Sequence, residues 1–137
     1  MSLNVQLLET SFALVRDRQD EFTQCFYSNL FADYPEVKPL FKSTNMEEQA
    51  KKLFASLVLV VNNLKKPDKL TESLKGMGNK HVDYGVLPKH YPMVGMNIVK
   101  VMSIVLKEEW TPEMEKAWTE AYSAIAAIML EGAEESA

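Results

Sequence analysis

Cysteine and histidine are scarce in this chain, with one Cys and two His in 137 residues, and that scarcity excludes much chemistry at once. Cys25 alone cannot form an internal disulfide, so a reducing, cytoplasmic setting is expected, with the thiol as a small core filler. His81 and His90 stand nine positions apart rather than four and so form no helical metal pair. One Cys with two His also leaves no Cys/His zinc site. No apolar run approaches the roughly 20 residues that cross a bilayer; LVLVV at 57–61 is among the longest. The start, MSLNVQLLETSF, lacks the basic opening and long apolar stretch of a signal peptide. Net charge is −4, and the only basic clusters are the pairs Lys51-Lys52 and Lys65-Lys66, read as a solvated face. Neither membrane nor nucleic acid is therefore expected as a partner. There is no Gly-x-Ser-x-Gly elbow and no paired-acid motif. The G-x-G pair at 76–78 lies inside a helical pattern with no strand before it, so it is not a phosphate loop.

What is present is helical periodicity. Val5, Leu8, Phe12 and Val15 recur at steps of three and four, as do Phe22, Phe26 and Leu30. A third stripe runs Ala50, Leu53, Leu57, Val60, Val61 and Leu64, and a fourth runs Leu70, Leu74, Met77 and His81. Val94, Ile98, Val101 and Val105 form a fifth; Met114, Trp118, Ala121, Tyr122, Ile125 and Ile128 form a sixth. Between the second and third, DYPEVKPLF (33–41) carries two prolines and must bend. Pro67-Asp68 opens the fourth helix, Gly85 is placed to cap it in the left-handed conformation, and Pro92 sits at the start of the fifth. Thr111-Pro112-Glu113 reads as an N-cap, a first-turn proline and an acid at the positive helix end. No strand alternation and no coiled-coil heptad is visible, and the tail EGAEESA is expected to fray. With 47% hydrophobic residues, the chain is expected to form a single all-α domain over 1–137, with six main helices plus short turns.

His81 extends an apolar stripe and so faces the interior. It is either a core histidine with a hydrogen-bond partner or a single axial ligand to a buried haem iron, for which an apolar wall and a neutral imidazole are suited. In the second case a flat apolar cofactor fills the space between the third and fourth stripes. Gln49, on the third helix four residues before Leu53, is then either a boundary residue or a hydrogen-bond donor to a bound gas. Tyr27, in CFYSNLF, is either a core tyrosine or a second such donor. Each hydrogen bond to a charged acceptor is worth roughly 1.5–3 kcal/mol.

The stretches FYSNLFADYPEVKPLF (26–41), QAKKLF (49–54), KHVDYGVLPKHYPMVG (80–95) and AWTEAY (117–122), taken in order, resemble the bacterial globins. More narrowly, they resemble the haem domain of flavohaemoglobins and the single-domain haemoglobins of the Vitreoscilla type. The resemblance covers essentially the whole chain. It implies a globin fold whose helices sandwich haem b (iron protoporphyrin), with His81 as the proximal iron ligand. It further implies Phe41 wedged against the haem, Tyr27 and Gln49 as the distal pair, and Leu53 as the apolar residue over the iron. Tyr91 matches a tyrosine that hydrogen-bonds near the proximal histidine. The family's glutamate partner for it falls here on Ala133, with Glu131 and Glu134 close but off the site. His90 matches a variable polar position and is read as surface or rim.

The implied function is reversible binding of dioxygen, and of nitric oxide or carbon monoxide, by a monomer or homodimer. Nitric oxide dioxygenation is the linked enzymatic version. It requires a separate reductase, because these 137 residues hold no flavin or nicotinamide domain. The alternative is a gas-sensing domain that signals through a partner protein. A haem-free module would have no need of His81, Tyr27 and Gln49 together in its core.

Overall fold

Short polar side chains and prolines fix where the helices begin. In the computed structural model, which describes residues 4–83 and 86–135, Asn4 caps α1 (Val5–Arg16), its Oδ1 accepting from the Leu7 N–H at 3.1 Å. Helix α2 spans Gln19–Asp33, and the proline-bearing bend becomes a 3-10 helix, Pro35–Phe41. Asn45 caps α3 (Met46–Asn62), accepting from the N–H groups of Glu47 and Glu48. Pro67 opens α4 (Pro67–Asp83), and α5 runs His90–Leu106, with Pro92 in its first turn. After a short 3-10 turn at Lys107–Glu109, Thr111 Oγ1 accepts from the Met114 N–H and Pro112 begins α6 (Pro112–Glu135). These are the six expected helices, and no strand occurs among the described residues. The cap expected at Gly85 lies outside the described residues. Among the described residues α6 continues through Glu135, with Gly132 buried against α4.

The main core joins Leu8, Phe12 and Val15 of α1 to Phe22, Phe26 and Leu30 of α2. It continues through Ile98, Val101, Met102 and Val105 of α5 to Ala117, Trp118 and Ala121 of α6. Two buried hydrogen bonds tie it across long sequence separations. Trp118 Nε1 donates to Ser11 Oγ at 2.8 Å, and Asn97 Nδ2 donates to the Phe26 carbonyl at 2.8 Å. The stripe read on α3 is only half of its apolar surface. Phe54, outside that stripe, is 3% exposed and stacks on Phe12 at 5.3 Å. Leu53 and Leu57, on the adjoining face, are only partly covered. A second cluster unites Val60 with Leu70 and Leu74 of α4 and with Ile125, Ile128 and Met129 of α6. Helix α4 packs chiefly on α6, and Val60 near the end of α3 joins the same cluster. No helix among the described residues is long and apolar enough to cross a membrane.

Candidate functional site

Helix α2, the 3-10 helix and α3 bring four sequence-predicted residues into one neighbourhood. Tyr27 is 8% exposed. Its ring stands edge-on to Phe41 at 5.8 Å and to Phe26 at 5.0 Å, with Phe31 at 6.0 Å. Its hydroxyl donates to the main-chain carbonyl of Gln49 at 3.5 Å, a long bond. The Gln49 side chain is partly buried in the first turn of α3, and Leu53 follows one turn later on the same face. Burial, partly offset by the contact with Gln49, pushes the Tyr27 hydroxyl from 10.0 up to about 12. It therefore remains a protonated donor across the neutral range.

His81 sits in the last turn of α4 with its Nδ1 on the Met77 carbonyl, one helical turn back. A carbonyl oxygen only accepts, so Nδ1 carries the proton and the lone pair of the neutral ring resides on Nε2. The Tyr91 ring is 6.4 Å from the imidazole, tilted by 42°, and burial raises its hydroxyl pKa. Tyr91 is itself anchored through its main chain, because Tyr122 Oη donates to the Tyr91 carbonyl at 2.7 Å. Gly95 makes this possible, since a methyl there would overlap the Tyr122 ring. Burial drives the Tyr122 hydroxyl pKa strongly upward, with a smaller contribution from Tyr91. Ala133 is half-buried, whereas Glu131 and Glu134 are exposed. Neither acid is an interior partner for Tyr91.

Two expectations change. His90 is not a surface residue: it is 7% exposed, and its Nδ1 accepts from the Leu87 N–H at 2.9 Å, closing the corner into α5. Cys25 is half-buried at the core's edge, where Asn29 Nδ2 donates to its sulfur at 3.3 Å and burial raises its thiol pKa. The Tyr122 anchor escaped sequence reading. Its signal was a hydroxyl on an otherwise apolar stripe, which must find an acceptor when buried. Among the described residues, no group of three His, Cys, Asp or Glu could hold a metal ion. A separate groove of about 570 Å³ between α5 and α6, lined by Gly95, Met96, Val99 and Tyr122 among others, contains none of the predicted site residues.

Comparison with known proteins gives a consistent result. The sequence profile described as Globin matches residues 24–129. The chain is 32% identical over 133 residues to flavohemoprotein B of Dictyostelium discoideum, covering 96% of this chain and 31% of that protein. It is 33% identical over 113 residues to the flavohemoprotein of Deinococcus radiodurans, covering 81% and 28%. The chain thus spans about a third of the length of these relatives. Among solved structures, a bacterial globin from Campylobacter jejuni superposes with a TM-score of 0.79 at 29% identity, covering 96% of this chain and 94% of that one. An engineered carbene transferase from Rhodothermus marinus, described as a candidate nitric oxide dioxygenase, superposes with a TM-score of 0.84 at 26% identity, covering 96% and 91%.

Proposed function

Since the chain belongs to the globin family, we propose that it is a haem protein binding dioxygen and other diatomic gases reversibly at an iron ligated by His81. The observation that carries this reading is the His81 Nδ1–H held on the Met77 carbonyl. It leaves the ring in the tautomer whose Nε2 lone pair is the one that ligates iron, and it enriches that ring in electron density. The residues present fit a planar apolar group. Leu40, Phe41, Leu53, Leu57 and Val94 remain incompletely covered by protein. His81 would hold the group from α4, while Phe41 and Leu53 would press on it and exclude water. When bound, haem b would supply the ligand position and the iron redox chemistry.

This chain's own residues then set affinity. Tyr27, buried and protonated, is a donor with little to lose, because its present bond to the Gln49 carbonyl is long. Turning that hydroxyl to a polar diatomic ligand exchanges a weak neutral bond for a charge-assisted one. The Gln49 amide, on the same edge of α3, is the second donor. Strong retention of dioxygen is what nitric oxide dioxygenation requires. We assign that activity to this chain when a reductase supplies electrons, as its relationship to flavohaemoproteins supports. The test is dioxygen dissociation measured by stopped flow. Tyr27→Phe should release the gas roughly 10- to 100-fold faster, the worth of one hydrogen bond to a charged acceptor. An unchanged rate would remove Tyr27 from this role.

A further inference from the structure

Helices α4 and α6 meet through glycine. Gly78 is buried, and a methyl group there would overlap the Met129 carbonyl, standing 2.6 Å from its carbon. Gly132, buried on α6, repeats the arrangement from the other side: a methyl there would overlap the backbone of Lys75, standing 2.6 Å from its Cα. Gly76, on the same helix as Gly78, has nothing within 4 Å of its would-be methyl. The helices thus touch backbone to backbone at two points, with Ile125, Ile128 and Met129 closing around Leu74 and Met77. Interior glycine costs a helix about 1 kcal/mol relative to alanine, and at 78 and 132 close approach supplies a reason to keep it.

The peptide unit joining Met77 to Gly78 is where this contact reaches the histidine. Its carbonyl accepts from His81 Nδ1, and its Gly78 end rests on the Met129 carbonyl. Glu131 and Glu134, the acids at this end of α6, are exposed. We propose that the α4–α6 glycine contact braces the His81 imidazole. Gly78 and Gly132 act as positioning residues, holding still the carbonyl that orients the His81 imidazole. This rests on the haem reading above. It adds that α6 acts on the imidazole through its main chain rather than through a side-chain acid.

The experiment compares haem-loaded wild type, Gly78→Ala and Gly76→Ala by resonance Raman in the ferrous, gas-free state and by haem transfer to an excess of acceptor protein. Gly78→Ala pushes the Met77 carbonyl off Nδ1, so the iron–imidazole band should move to lower frequency. Haem should leave roughly 10- to 100-fold faster, the usual scale for loss of an outer partner. Gly76→Ala should match wild type. A Gly78→Ala band and transfer rate equal to wild type would overturn the proposal. In His81→Gly protein supplied with 1-methylimidazole, which has no N–H to donate to the Met77 carbonyl, adding Gly78→Ala should leave the band where it was. A shift there too would indicate general distortion and also count against positioning. If Gly78→Ala does not fold, Ile128→Ala loosens the same seam without a clash: a lowered band supports the proposal and an unmoved one refutes it. Wild type that takes up no haem would refute the underlying reading as well, an outcome distinct from all the others.

Discussion

Two tyrosine hydroxyls, the buried one of Tyr27 and the half-buried one of Tyr122, are held protonated by their surroundings, and this gives the protein a pH signature. Burial holds Tyr27 at about 12 against an ordinary 10.0 and raises Tyr122 further. Above pH 10 the unfolded chain releases these protons while the folded chain retains them, so raising the pH favours unfolding. The stability concerned is fully present below pH 10 and is lost as pH rises toward 12. Urea denaturation at a series of pH values should show stability falling from about pH 10 upward. Tyr122→Phe should fall less steeply and should cost about 1 kcal/mol at neutral pH through the lost bond to the Tyr91 carbonyl. A stability that rises between pH 10 and 12 would contradict this. At this scale the sequence was legible where chemistry is rare: one cysteine and two histidines left few candidates, and His81 stood on an apolar stripe. It was illegible where burial depends on tertiary packing. His90 looked like a rim residue because nothing local reveals that its imidazole folds back onto the Leu87 N–H.

Among the elements, α3 links fold to site most directly, because one face carries Phe54 into the core and the next presents Gln49, Leu53 and Leu57. Its start depends on Asn45, whose Oδ1 satisfies two otherwise orphaned N–H groups. Asn45→Ala should cost about 1 kcal/mol in chemical denaturation and, because Gln49 lies in the first turn, should also raise the dioxygen dissociation rate. A full stability loss with unchanged gas kinetics would separate the cap from the site. The six helices were readable because each has an apolar period and chemically marked ends; Asn45, Pro67 and Thr111-Pro112 all act where such residues should. The double-faced character of α3 was not readable, since apolar residues spread around a helix do not reveal which of two neighbours each will meet. The glycine contact of α4 with α6 was hidden for the same reason: a glycine required by a close crossing looks like a glycine that merely weakens a helix.

For the whole molecule, Leu40, Phe41, Leu53, Leu57 and Val94 are only partly covered by protein, so on the haem reading the haem-free state should be the less stable one. A ligand that binds only the folded chain adds about 4 kcal/mol at a thousandfold excess over its Kd. Melting should therefore occur well above the apo value once haem is supplied at one equivalent; equal midpoints by circular dichroism would contradict the pocket. The globin fold itself was legible because four separated segments carry the resemblance in order. This chain matches about a third of the length of those relatives. The central claim is that one imidazole, at position 81, ligates iron. Its most direct test is the absorption spectrum of ferrous protein before and after adding carbon monoxide, recorded for wild type and for His81→Ala. Wild type should give a five-coordinate, histidine-ligated spectrum that shifts sharply with the gas, and His81→Ala should lose it until free imidazole is added. A normal histidine-ligated spectrum in His81→Ala would show that the iron is held by another residue.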